Sequence, residues 1–165
     1  MRLALDVDGV IANFVAGLFA RAGLALDLEN WITKFEFLED WSLTGLWEKV
    51  QHDEQFWLSL PVVDSHIPRC CVLFLSDRPV ETTVTERWLN VNNIRHLPIY
   101  HVKDKLEFLR KSDLDGLVDD KGETYEQVRN EFPASFLVSR PWNRWVKTRN
   151  RIYRLEELDW RESHE

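Results

Sequence analysis

Short apolar runs separated by helical patterns constrain this chain more than any other feature. Leu3 to Val7, Cys71 to Leu75, Leu97 to Tyr100, Leu114 to Val118 and Ser135 to Val138 each fit a buried strand, although runs this short do not exclude helix by periodicity alone. Between them, Thr82 to Val91 carries Val84, Trp88 and Val91 at helical spacing. Leu106 and Leu109 mark a second stripe, and Tyr125, Val128 and Phe132 a third. Strand and helix in alternation require right-handed crossovers. The expected fold is therefore α/β, a Rossmann-like doubly wound parallel sheet of about five strands whose ligands bind beyond the carboxyl ends of the strands.

Residues 13–66 break the rhythm. They contain no convincing strand, only helical segments rich in Trp31, Phe35, Phe37, Trp41, Trp47, Phe56 and Trp57. The expectation is a small helical cap inserted after strand 1 of a single domain spanning residues 1–165. Its aromatics either form the cap's own core or, for one or two of them, face the sheet. The length suits one core, and a 44% hydrophobic content is enough to offset the entropy of ordering it. The apolar run Cys70 to Leu75 is far short of the ~20 residues that cross a bilayer. Asp6 and Asp8 interrupt the first apolar stretch where a signal peptide would need it clean, so the expected location is cytoplasmic.

Cys70 and Cys71 are neighbours in sequence, a poor geometry for a disulfide, and read as reduced strand residues. The five histidines show no metal-ligand spacing. A net charge of −7 argues against long nucleic acid as the main partner. Even so, Arg140 to Arg154 holds Arg140, Arg144, Lys147, Arg149, Arg151 and Arg154 without an acid. That run is either a solvated edge or a phosphate-facing surface.

Chemistry gathers at the predicted strand ends. Asp6 and Asp8 stand where the first strand leaves the sheet, and Asp119-Asp120 closes the run Leu114 to Val118. In a parallel sheet these four carboxylates converge. Two unit charges ~4 Å apart at an effective dielectric of ~20 repel by ~4 kcal/mol, so such a cluster needs a cation or raised pKa values. Oxygen ligands suit a hard ion, and Mg²⁺ is the expected one. Ser76 follows the run Cys71 to Leu75 and precedes a helix, and Lys103 and Lys105 open the next helix. Four acids, a hydroxyl and a lysine at one edge suit a metal plus a phosphate.

Asp6-Val7-Asp8-Gly9, Ser76, Lys105 and Asp119-Asp120, in that order, resemble the four motifs of the haloacid dehalogenase superfamily of phosphohydrolases. More narrowly, DVDGVIANF from Asp6, FWLSLP from Phe56, the VKDK segment, LVDDK from Leu117 and RPWNR from Arg140 look like the 5'(3')-deoxyribonucleotidase group. The resemblance runs from Leu3 to Leu158. It implies that Asp6 attacks phosphorus to give an aspartyl phosphate that water then cleaves, with Asp8 as general acid and then base. It implies Mg²⁺ held by the Asp6 carboxylate, the Asp8 backbone carbonyl and Asp119, with Asp120 a nearby alternative ligand. Ser76 and Lys105 would bind phosphate oxygens, Lys103 remaining a competitor for Lys105.

Phe14, Phe56 and Trp57 lie in stretches similar to that group's pocket and are candidates for stacking on a nucleobase. Trp142 and Asn143 either brace the site or end the fifth strand. Where the group has a second small hydroxyl residue after its motif-two Thr or Ser, this chain has Asp77. Asp77 is expected to cap the following helix or to pair with Arg78. The implied activity is Mg²⁺-dependent dephosphorylation of small phosphate esters, foremost deoxyribonucleoside monophosphates, with no membrane partner. A polynucleotide end phosphatase, suggested by the basic run, and another small-metabolite phosphatase are the alternatives. A non-catalytic phosphate-binding protein stands behind them, because the chain keeps nucleophile, acid and metal ligand.

Overall fold

In a computed structural model that describes residues 1–23 and 41–162, every expected apolar run contributes a strand. These are β1 (Leu3–Leu5), β2 (Cys71–Ser76), β3 (Ile99–His101), β4 (Gly116–Asp119) and β5 (Phe136–Val138). A sixth, β6 (Arg151–Ile152), is additional. It comprises two residues within the basic run, too short to give an apolar signal. All neighbours pair in parallel in the order β3-β2-β1-β4-β5-β6. The chain builds outward from β1 to β3 and then crosses back to place β4 on the other side of β1. The crevice beyond β1 and β4 is thus the point where strand order reverses, the usual ligand position in such sheets. Leu5 sits in register with Val118, which sets Asp6 beside Asp119.

Helices follow the strands: α1 (Phe14–Ala22), α2 (Trp41–Val50) and α3 (Glu54–Leu58) in the inserted segment, then α4 (Thr82–Val91), α5 (Lys105–Arg110), α6 (Gly122–Val128) and α7 (Glu156–Glu162). α4 buries Val84, Thr85, Trp88 and Leu89. Val91, expected on that stripe, is its last residue and is exposed. Trp88 is fully buried and donates its indole N–H to Leu60 O at 2.8 Å. Burying such a ring removes ~200 Å² from water, worth ~5 kcal/mol. No helix among the described residues is long and apolar enough to cross a membrane.

The inserted segment leaves and rejoins the sheet at one place. Asn13 N donates to Pro61 O at 2.7 Å and Val63 N to Ile11 O at 2.8 Å. Asn13 also caps α1, its side chain accepting from Ala16 N, and Asp53 caps α3 through Gln55 N. Val50, Phe56, Trp57 and Leu60 are buried in the same core cluster as β1 and α4, so α3 is seated on the sheet layer. Trp31, Phe35, Phe37 and the side chain of Trp41 lie outside the described residues.

Candidate active site

The turn after β1 places the first pair of acids. Asp6 N still bonds Val118 O across the sheet at 2.9 Å, and Val7 O then accepts from both Ile11 N and Ala12 N, folding the chain back on itself. Gly9 has φ +76° in this turn, and a Cβ there would lie 2.0 Å from Asp120 Oδ2. Glycine therefore serves twice, supplying a left-handed backbone and letting the fourth strand's second acid close against the loop.

Asp6, Asp119 and Asp120 converge. Each is buried, and one oxygen from each lies within 4.8 Å of the others. Lys105 Nζ sits 2.9 Å from Asp6 Oδ1 and 2.8 Å from Asp119 Oδ2. Lys103 also lines the cavity over these acids but is exposed. Asp119 Oδ1 accepts from Lys121 N at 2.7 Å. Asp120 Oδ2 accepts from the Trp142 indole at 2.7 Å, and Asp120 O from Asn143 Nδ2 at 2.7 Å. Trp142 and Asn143, in the 3₁₀ turn Pro141–Asn143, thus brace the acidic pair.

Burial, opposed by Lys105 and reinforced by Asp119 and Asp120, pushes the Asp6 carboxyl well above the usual carboxylate range. Burial and the neighbouring Asp119 push Asp120 up to about 8. Although burial works against its charge, Asp119 and Asp6 hold the Lys105 ammonium above its ordinary value. The three acids therefore hold protons between them near neutral pH, and a further cation would favour their ionised forms.

Among the described residues two buried side-chain atoms lack a hydrogen-bond partner: Asp6 Oδ1, whose contact with Lys105 is an ion pair without hydrogen-bond geometry, and Ser76 Oγ at the end of β2. A buried all-oxygen donor set, with one carboxylate oxygen that makes no hydrogen bond among the described residues, fits a hard divalent cation. The three acids can hold a metal ion. A cavity of about 540 Å³ opens over them, lined also by Asp8, Asp77, Lys103, Lys121, Glu123, Thr124 and Gln127.

Three expectations are corrected. First, among the described residues the carboxylates close enough to share one ion are those of Asp6, Asp119 and Asp120, while Asp8 lines the same cavity with its carboxylate paired elsewhere. The Asp8 side chain turns to Arg78, whose Nε and Nη2 donate to Asp8 Oδ2 and Oδ1 at 2.8 and 2.7 Å. The side chains that could hold an ion together are thus Asp6, Asp119 and Asp120; the expected contact through the Asp8 backbone carbonyl does not depend on the Asp8 side chain. Second, Asp77 neither pairs with Arg78 nor caps α4, whose N-cap is Glu81 without a side-chain bond. Asp77 is exposed and lines the cavity, because Arg78 is already committed to Asp8.

Third, Phe14, Phe56 and Trp57 are 5%, 2% and 2% exposed and do not line this cavity. Phe14 stacks on Trp57 at 5.7 Å, and Phe56 meets both edge-on at 5.9 and 5.2 Å. Among the described residues their faces are occupied by one another, and they pack the inserted segment against the sheet layer.

The basic run divides. Arg140 Nε donates to Gly9 O at 2.7 Å and fastens the loop after β1. Arg151 bonds Asn143 Oδ1, Asn143 O and Val146 O. Arg144, Lys147 and Arg149 are exposed. Sequence reasoning missed Arg140 and Arg151 as braces and the Asp8–Arg78 pair. The available signal was position: Arg78 and Arg140 both follow strand ends at the same sheet edge. No protein-family model matches this chain, and no curated protein matches it.

Proposed function

We propose that this chain is a divalent-cation-dependent phosphomonoester hydrolase of the haloacid dehalogenase type, using Mg²⁺ and acting on nucleoside monophosphates. The observation that carries the reading is the buried meeting of Asp6, Asp119, Asp120 and Lys105, with Ser76 buried at the end of the neighbouring strand β2, its Oγ without a hydrogen-bond partner among the described residues. A metal and a phosphate together would supply what these groups lack. The order of the motifs supports the superfamily, and the wider set of matching stretches supports the deoxyribonucleotidase group. With Phe14, Phe56 and Trp57 buried, base recognition has no support from those rings.

Asp119 and Asp120, with Asp6, would hold the cation, which when bound neutralises negative charge on the phosphoryl group. Lys105 and Ser76 bind phosphoryl oxygens, the hydroxyl donating the hydrogen bond it does not make otherwise. Asp6 attacks phosphorus as the ester P–O bond breaks, and Asp8 gives its proton to the departing oxygen. Asp8 then takes a proton from the water that displaces Asp6, releasing inorganic phosphate and restoring both carboxyl groups.

One observation favours a second substrate class, the end of a single-stranded polynucleotide. Trp145 is 43% exposed and its ring packs on Gly122, between the cavity-lining Lys121 and Glu123. Arg144, Lys147 and Arg149 are exposed close by in sequence. An open indole with basic neighbours is what strand binding uses. The test is a phosphate-release screen with and without Mg²⁺ over all nucleoside monophosphates and a 3'-phosphorylated oligonucleotide. Mg²⁺-dependent release from mononucleotides is expected; preference for the oligonucleotide selects the second reading, and no release from any ester refutes both.

A further inference from the structure

We propose that Arg78 and Trp57 are positioning residues for Asp8, so that the inserted segment, through Trp57, sets the aim of the group that protonates the leaving oxygen. The inference rests on the phosphatase reading. Arg78 is buried, its side chain has no exposed surface, and it grips both oxygens of Asp8, fork to fork, at 2.8 and 2.7 Å. Its Cζ lies 5.0 Å from the centre of the Trp57 ring and 5.6 Å from that of Trp88. Trp57 belongs to α3 of the inserted segment and Trp88 to α4 beside the sheet. The guanidinium that orients Asp8 is therefore packed against one ring from each.

The remaining nitrogen is fixed as well. Arg78 Nη1 donates to Thr85 Oγ1 at 3.1 Å, and Thr85 Oγ1 lies 3.1 Å from His101 Nε2. His101 Nδ1 lies 2.6 Å from Val80 O. Taking Nδ1 as the protonated nitrogen, the relay is complete: Nδ1–H donates to Val80 O, and Nε2 accepts from the Thr85 hydroxyl, which accepts from Arg78. Burial lowers the proton affinity of His101, in keeping with that neutral form. From Asp8 to the Val80 carbonyl each group is held by the next, leaving Arg78 little freedom to swing.

A guanidinium occupies one lone pair on each carboxylate oxygen and leaves another for proton exchange. Gripping both oxygens fixes the carboxyl plane, which is what an acid needs to meet a leaving oxygen at hydrogen-bond distance. Lysine has no fork and cannot do the same. Trp57 thus acquires a role after losing the expected one: it acts on the reaction through Arg78, not by touching the substrate.

The experiment compares kcat on an alkyl ester, β-glycerol phosphate, with kcat on p-nitrophenyl phosphate, whose leaving group departs without a proton. The proteins are wild type, Asp8→Asn, Arg78→Lys, Trp57→Leu and Trp57→Phe. Asp8→Asn should slow the alkyl ester roughly 100-fold more than the aryl ester, the scale of lost general acid catalysis. Arg78→Lys should show the same bias at about tenfold, Trp57→Leu a weaker one, and Trp57→Phe, which keeps a ring face, a ratio near wild type. KM should move little in all of them.

A loss of fold slows both esters alike, so equal slowing in the Arg78→Lys and Trp57→Leu proteins, beside a biased Asp8→Asn, overturns the positioning role and spares the phosphatase reading. A wild type without phosphatase activity, or an Asp8→Asn protein without bias, overturns the reading of Asp8 and the inference with it.

Discussion

Replacing Lys105 with methionine removes the only cation in contact with Asp6 and Asp119 among the described residues while keeping most of the side-chain volume. Its ammonium lies 2.9 and 2.8 Å from those carboxylates. At an effective dielectric of ~20 each contact is worth ~6 kcal/mol of gross attraction, most of it cancelled by the desolvation of three charges. The net cost is set by what is left behind, two buried carboxylates without a counter-charge, and removing one partner of such a pair typically costs ~3–5 kcal/mol. Proton uptake by Asp6, already favoured by burial, pulls the loss toward the lower end. Urea unfolding near neutral pH, followed by far-ultraviolet circular dichroism, measures it. In chelator the Lys105→Met protein should lose ~3–4 kcal/mol, and saturating Mg²⁺ should restore about half, since a cation among the acids replaces the missing charge. A loss below ~1 kcal/mol, or one that Mg²⁺ leaves unchanged, refutes the reasoning.

Further outcomes follow from the same geometry. Burial and Asp119 push the Asp120 carboxyl up to about 8 in the folded chain, whereas unfolded it ionises near the ordinary carboxylate value. Its contribution to stability is therefore complete at low pH and is lost as pH climbs from roughly 4 toward 8 in metal-free protein. Mg²⁺ favours the ionised form, so the Mg²⁺-induced rise in Tm should grow across that window; a rise equal at both ends counts against Asp120 as a ligand. Gly9→Ala forces a left-handed alanine, ~1 kcal/mol, and drives a methyl into Asp120, endangering its bond to Trp142 at a further ~1–3 kcal/mol. Thermal melts should show that loss, and a melt within a degree or two of wild type would contradict the close approach. Asp77→Asn removes a carboxylate from the cavity wall and should tighten competitive inhibition by inorganic phosphate by roughly threefold to tenfold. Unchanged or weaker inhibition would mean Asp77 faces away from the phosphate.

Much of the frame was legible because it depends on local signals. β2 and β5 are apolar runs with buried ends, and the acids at Asp6 and Asp119 stand out only in combination, since an Asp just after a strand is by itself an ordinary turn residue. α4 was legible down to its ends. β6 was not, because two residues amid arginines give no hydrophobic pattern. Pairings across the chain were also hidden: Asp8 and Arg78 are 70 residues apart, and nothing in their neighbourhoods distinguishes that partner from Asp77. The aromatic residues misled for a related reason. Phe14, Phe56 and Trp57 carry the same stacking chemistry whether they face a ligand or one another, and only the packing of α1 against α3 decides. The basic run likewise mixes two populations, since hydrogen-bond acceptors for Arg140 and Arg151 exist only once the loop after β1 and the turn at Pro141 are folded.

The central claim is that Asp6, placed by β1 at the meeting point of buried acids and a lysine, becomes esterified by phosphate during turnover. Acid quenching during steady-state hydrolysis of p-nitrophenyl phosphate with Mg²⁺, followed by peptide mass spectrometry, tests it directly. The account predicts a phosphoryl group on the peptide holding Asp6, and neither that adduct nor turnover in the Asp6→Asn protein. Sustained hydrolysis by Asp6→Asn, or an adduct on another residue, would contradict it.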